Sequence, residues 1–329
     1  MELAGLVVVI VLATGFDFTN GFHDAANAVA SAVSTRALSL RAALALAAVM
    51  NLVGALAGTG VAVTVAKGVI ATPRSTGGLA VVGAAVVGAI LWNVTTWHFG
   101  LPSSSSHALI GGLVGAALAS ATEVRWMGVV TKVAIPMVLS PLVGLALGYL
   151  VMTAIMWLFR RANAHRAARL LRRAQIVSAS SLALGHGLQD AQKSMGVIVL
   201  ALVVTGYQSD YTVPFWVMLL CATALAAGTW SGGLRIMRTV GRRIFHLTPA
   251  HGFAAEISAA AVLYTTAFVF AAPVSTTHVV TSAVMGVGAT SRQSAVRWSV
   301  VGDIALGWVL TAPAAAGIAA IAYGVVSLF

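Results

Sequence analysis

Near the start of the chain stands Gly21-Phe22-His23-Asp24-Ala25-Ala26-Asn27, and 166 residues later stands Gly187-Leu188-Gln189-Asp190-Ala191-Gln192-Lys193. A second pair recurs in the same order, 171 residues apart: Leu101-Pro102-Ser103-Ser104-Ser105-Ser106-His107 and Ala272-Pro273-Val274-Ser275-Thr276-Thr277-His278. The matched positions are polar in a chain rich in Ala and Val, so internal duplication explains them better than composition does. The spacing divides the chain into an N-terminal repeat (1–159), a basic linker (160–174) and a C-terminal repeat (175–329).

Composition identifies the solvent. Of the 329 residues 59% are hydrophobic and 8% charged, against about 25% charged in a soluble domain. Lipid must therefore cover most of the exterior. Stretches such as Arg41–Ala66, Gly77–Phe99 and Trp126–Phe159 reach the roughly 20 residues a spanning helix needs. No strict alternation of barrel type is present, and helices satisfy their own backbone in hydrocarbon. Glu2 in place of a basic leader argues against a cleaved signal peptide. Each half reads as five segments, near 3–33, 42–64, 78–98, 101–121 and 126–158, then 176–205, 213–231, 252–270, 272–290 and 294–328. An odd number per half turns the second half over. The expected fold is an all-α polytopic membrane protein of two inverted-topology repeats, about five crossings each, with broken helices and re-entrant hairpins.

Charge tests the orientation. With the N-terminus outside, 14 of the 19 basic residues fall in the loops around 34–41, 159–175, 232–251 and 291–297. Only Lys67, Arg74 and Arg125 fall on the other side, while Lys132 and Lys193 lie within apolar segments. By the positive-inside rule the central loop is cytoplasmic and both termini are outside. The same distribution accounts for the net charge of +11 without nucleic acid. The single Cys221 excludes an internal disulfide.

Five of the eight acidic residues, Asp17, Asp24, Asp190, Glu256 and Asp303, lie in or at the ends of apolar segments. Each costs at least about 2.5 kcal/mol at a helix centre, so a pathway or a partner is expected. Gly21 amid Asp17, Thr19, Asn20, His23 and Asp24 predicts a break in the first helix. Asp24 and Asn27 share a face beyond it and offer a carboxylate and an amide oxygen to a cation. Asp190 is the repeat partner of Asp24, and Lys193 pairs with it or meets an anion. Pro followed by hydroxyl residues is a helix start. Two such starts inside a membrane, with Ser104, Ser105, Ser106, Ser275, Thr276 and Thr277, present free N–H groups and hydroxyl donors to an oxyanion. His107 and His278 match across the repeats and either orient the hairpins or shuttle protons. Lys132 and Asp303 are equivalent positions and are expected to pair; Glu256 has no acidic counterpart.

Asn20-Gly21-Phe22-His23-Asp24-Ala25-Ala26-Asn27-Ala28-Val29-Ala30 and Gly187-Leu188-Gln189-Asp190-Ala191-Gln192-Lys193-Ser194-Met195-Gly196 resemble the paired signatures of the inorganic phosphate transporter (PiT) family, bacterial low-affinity type. The resemblance covers essentially the whole chain. It implies a secondary symporter in the cell (inner) membrane, not an enzyme, with no resident cofactor and no certain metal. Inorganic phosphate would lie among Ser104, Ser105, Ser106, Ser275, Thr276, Thr277, Asn20 and Gln189. The coupling cation would meet Asp24, Asn27, Asp190 and His23, with Lys193, His107 and His278 in support. Sodium-coupled members carry Asn before each signature Asp; here His23 and Gln189 stand there. His23 resembles the proton-coupled branch associated with metal–phosphate complexes, and imidazole chemistry favours the same reading.

The expected partners are phosphate and membrane lipid, with homo-oligomerisation left open and nucleic acid excluded. The alternatives are a sodium-coupled phosphate permease or a sulfate permease of the same family, an intramembrane phosphatase, and a channel. Apart from Arg297 at the start of the tenth, no Arg lies in the ten segments to serve as a phosphatase clamp. The deep carboxylates and duplicated layout favour a bound, occluded substrate over a channel.

Overall fold

The computed structural model describes residues 2–71, 77–232, 236–237, 247–291 and 297–328. Arg74, Arg235, Arg238, Arg242, Arg243 and Arg292, six of the basic residues used above, lie outside them. Among the described residues eleven helices are delimited, in order: α1 (Glu2–Ser34), α2 (Leu40–Ala55), α3 (Gly60–Gly68), α4 (Gly78–Phe99), α5 (Ser105–Ala119), α6 (Trp126–Leu158), α7 (Ala164–Val204), α8 (Phe215–Ser231), α9 (Pro249–Phe268), α10 (Thr276–Ala289) and α11 (Trp298–Val326). Among the described residues the only strand-like pairing is the isolated bridge Ile70–Val124.

Among the described residues five helices, α1, α4, α6, α7 and α11, are long and apolar enough to cross a membrane, and α2 with α3 makes a sixth, bent by 69°. That is fewer full-length spans than the ten segments read from sequence. The segments near 101–121 and 213–231 are short helices of 15 and 17 residues. Large apolar side chains such as Leu3, Val11, Leu142 and Ile321 are exposed, the surface that lipid would solvate.

The broken helix is also not where Gly21 predicted it. α1 runs unbroken from Glu2 to Ser34. Gly21 instead lets α8 approach, for a Cβ there would lie 2.4 Å from the Leu225 carbonyl oxygen. Its repeat partner Gly187 does the same for α2, where a Cβ would lie 2.1 Å from the Asn51 carbonyl oxygen. Small residues at helix contacts are the usual means of close packing where no hydrophobic drive separates helix from lipid. The break falls between Ala55 and Gly60, joining α2 to α3.

The two halves interlock. α1 packs on α8 and α2 on α7, while α5 packs on α11 and α10 on α6. α4 and α5 form a helical hairpin whose tip meets the middle of α1, with Thr96 and Ser103 against His23. Its open end returns to α3 through the Ile70–Val124 bridge. α9 and α10 form the second hairpin, whose tip meets α7 where Gln189 bonds Thr266 at 2.8 Å.

The expected Lys132–Asp303 pair does not form. Both side chains are exposed, and the ion pairs among the described residues are His23–Asp24, His186–Asp190 and Lys193–Asp190. α6 and α11 have different main partners, and each charge lies within the first two turns of its helix. There a side chain reaches the interface without a counter-ion.

Candidate functional site

Helical spacing sets one wall of the site. On α1, Asp17, Asn20, Asp24 and Asn27 recur at three- and four-residue steps and share one face, all buried. On α7, His186, Gln189, Asp190, Lys193 and Ser194 are likewise buried. Packing of α1 on α7 brings the two repeated carboxylates together. Ligand atoms of Asp24, His186 and Asp190 lie within 4.8 Å of one another.

The hairpin tips supply the opposite wall. α4 ends at Gly100 in the left-handed region, with φ 67°, and α5 begins after Ser104, whose hydroxyl accepts the His107 N–H at 3.2 Å. In the second hairpin Ser275 accepts the His278 N–H at the same distance. Both helices therefore start at the site with their first N–H groups outside the helical ladder, a positive end facing the carboxylates. Ser105 Oγ reaches Asp24 Oδ2 at 3.4 Å, and Thr277 Oγ1 reaches Asp24 Oδ1 at 3.4 Å. Thr276 Oγ1 lies between the carboxylates, 3.5 Å from Asp24 Oδ2 and 3.4 Å from Asp190 Oδ2. These contacts are longer than an ordinary O–H···O bond of about 2.7–2.8 Å, so the hydroxyls are within reach of a better acceptor. Ser106 is committed differently, donating to the Val274 carbonyl at 2.8 Å and tying one tip to the other.

Lys193 Nζ lies 2.6 Å from Asp190 Oδ1 and 3.4 Å from Ser105 Oγ. It pairs with Asp190 and borders the hydroxyl cage. His23 Nδ1 lies 2.6 Å from Asp24 Oδ1, and its Nε2 is 3.1 Å from Thr96 Oγ1. Asn20 Nδ2 donates to Asp190 Oδ2 at 3.1 Å, and Asn27 Nδ2 donates to Thr277 Oγ1 at 2.8 Å. The carbonyl oxygens of Asn20, Asn27 and Gln189 are buried with no partner. His107 and His278 stack on each other at 4.7 Å between the hairpins, and His278 stacks on Trp308 at 3.9 Å. Trp308 Nε1 in turn donates to the Pro102 carbonyl at 3.1 Å. Both imidazoles thus stack between the two hairpins, beside their tips.

Sequence reasoning assigned no role to Thr96 or His186. His186 stood at the edge of the second motif and lies 3.1 Å from Asp190 Oδ2; the hydroxyls that hold His23 had no signal beyond the Ser run. Glu256 lies in a separate polar cluster, accepting from Ser31 at 2.5 Å, Ser178 at 2.5 Å and Gln175 at 3.0 Å. A groove of about 440 Å³ between α6 and α9 is lined mainly by apolar side chains, with Thr131, Lys132, Ser140, Thr265 and Thr266, and includes neither carboxylate.

The sequence pattern described as the phosphate transporter family matches residues 20–319. The chain belongs to the phosphate transporter family. It is 41% identical over 325 residues to a Bacillus subtilis (strain 168) protein named probable low-affinity inorganic phosphate transporter, covering 98% of this chain and 97% of that one. A Rhizobium meliloti (strain 1021) protein of the same name is 47% identical over 326 residues, covering 97% and 95%. A solved structure described as the sodium-dependent phosphate transporter superposes with a TM-score of 0.85, at 24% identity, over 99% of this chain and all of that one; that likeness shows the shared fold. This family member is a multi-pass membrane protein, and the names of its relatives weigh against the phosphatase alternative.

Proposed function

We propose that the protein imports inorganic phosphate by symport, with phosphate held between the N-termini of α5 and α10 and the coupling ion at Asp24 and Asp190. The observation that carries this reading is a set of hydroxyls, Ser105, Thr276 and Thr277, whose own hydrogens reach the two carboxylates only at 3.4–3.5 Å, beside one lysine. With neutral imidazoles, Asp24, Asp190 and Lys193 sum to one negative charge, so the site repels an anion until a proton or cation arrives. At an effective dielectric of about 20, two unit charges 4.8 Å apart interact by about 3.5 kcal/mol. For an anion held about as far from a carboxylate as the two carboxylates are from each other, neutralising that carboxylate would change affinity a few hundred-fold, which is the thermodynamic content of coupling.

The coupling ion in this reading is a proton, taken up by His23 and Asp24 at their 2.6 Å contact. A sodium ion is the second reading, favoured by the partnerless Asn27 carbonyl oxygen beside Asp24, a hard oxygen donor. A divalent ion carried with phosphate would meet Asp24, His186 and Asp190. In the membrane the two repeats, 1–159 and 175–329, lie in opposite senses around the 160–174 linker. Both hairpins are re-entrant, both termini are outside and the linker is cytoplasmic, in the cell (inner) membrane. Uptake of labelled phosphate into proteoliposomes, under a pH gradient or a sodium gradient alone, tests the reading. The pH gradient should drive accumulation and His23→Asn should abolish its proton dependence. Unchanged proton dependence in that variant would sink the role of His23, and accumulation under sodium alone would overturn the proton reading.

A further inference from the structure

Asp17 lies outside the site just described. It sits seven residues before Asp24 on the same face of α1, roughly 10 Å along the helix axis, and is fully buried. Ser194 donates to its Oδ1 at 2.6 Å, and the Cys221 thiol of α8 faces it. Its Oδ2 has no partner, and no ion pair among the described residues includes it. An isolated buried carboxylate is too costly to keep charged, so it takes a proton or a cation. Three residues on, one turn along the same face, the Asn20 carbonyl oxygen is also buried and partnerless. A single proton on Asp17 would make its carboxyl group a donor one turn from the unpartnered Asn20 Oδ1. The other neighbours of Asp17, the Ser194 hydroxyl and the Cys221 thiol, spend their hydrogens on the carboxyl group and add no charged oxygen to complete a metal site, which leaves a proton as the partner for Oδ2.

We propose that Asp17 is a proton-carrying site, a station for the coupling proton between the N-terminal side of α1 and the Asp24–Asp190 centre. Asn20 links the two, since its Nδ2 donates to Asp190. The titratable and charged groups facing Asp17 are Cys221 on α8 and Asp190 and Lys193 on α7. On α1 itself His23 and Asp24 follow within two turns. α4, which runs beside α1 with Leu79 at Gly5 and Thr96 at His23, carries only His98, beyond Thr96. The inference rests on the proton-coupled reading above and names a residue that reading does not use.

The experiment compares wild type with Asp17→Asn and Asp17→Glu in proteoliposomes, each checked for monodispersity. Two transport modes are read: phosphate–phosphate exchange, which needs no net proton movement, and accumulation under a one-unit pH gradient. Such a gradient drives about tenfold accumulation per proton carried. Asp17→Asn should keep exchange within about twofold of wild type and lose gradient-driven accumulation, while Asp17→Glu keeps both. The infrared band of a protonated carboxyl group should also disappear in Asp17→Asn. Accumulation retained by Asp17→Asn, an unchanged carboxyl band, or loss of exchange along with accumulation would each overturn the proposal. Failure of the underlying reading shows elsewhere: wild type itself would then accumulate phosphate under sodium but not under a pH gradient.

Discussion

Lys193→Gln separates electrostatic balance from mere packing. Lys193 Nζ is 2.6 Å from Asp190 Oδ1 and 3.4 Å from the Ser105 hydroxyl. A phosphate oxygen accepting from Ser105 would then lie about 5 Å from the ammonium, worth about 3.3 kcal/mol at an effective dielectric of 20, or roughly two hundred-fold in affinity. Lys193→Gln changes the site from one net negative charge to two and should raise the phosphate Kd by about two orders of magnitude. Asp190→Asn together with Lys193→Gln restores one net negative charge. If balance is what matters, the double variant should recover at least about tenfold relative to Lys193→Gln, a non-additive cycle expected of touching residues. Titration calorimetry of purified protein with phosphate reads both, with thermal unfolding as the check that each variant is folded. A Kd for Lys193→Gln within about threefold of wild type, or a double variant no better than the single, would refute the electrostatic account.

Two further perturbations test the frame. Gly21→Ala and Gly187→Ala place a Cβ against backbone oxygen at 2.4 and 2.1 Å and should each cost about 1–3 kcal/mol, read as a lowered melting temperature. Gly15→Ala, with open space around the added carbon, should be neutral or raise stability by up to about 1 kcal/mol; equal melting of all three would contradict the packing role. Glu256→Ala strands three donors, from Ser31, Gln175 and Ser178, and should cost about 3 kcal/mol, whereas Glu256→Gln retains an acceptor and two rotatable hydroxyl partners. Similar melting of the two Glu256 variants would show that the carboxylate cluster does not hold α1, α7 and α9 together.

The repeated motifs made the centre legible before any coordinates. Asp24 and Asp190 converge, and Ser105, Thr276 and Thr277 start the two half-length helices that face them. Gly21 was misread because one local signal has two physical uses: a glycine among polar residues loosens a helix or admits a neighbour, and only the position of α8 decides. Lys132 and Asp303 matched by offset, yet offset carries no information on which helices touch, and α6 and α11 face different partners. Thr96 and the Ser106–Val274 tie depend on contacts across 73 and 168 residues, beyond the reach of spacing along one helix, whereas His186, four residues before Asp190 at the motif's edge, was within it. Glu256 acquired its setting only when the start of α7 met the end of α1.

The central claim, an oxyanion site with carboxylates close enough to accept a proton from the substrate, is tested most directly by competition. Arsenate, protonated like phosphate near neutral pH, and sulfate, fully deprotonated there, differ in what they can donate to Asp24 and Asp190. In proteoliposomes the account predicts that arsenate inhibits labelled phosphate uptake about as well as unlabelled phosphate, and that sulfate needs at least about tenfold more, one missing hydrogen bond to a buried acceptor. Equal inhibition by sulfate and arsenate would contradict it.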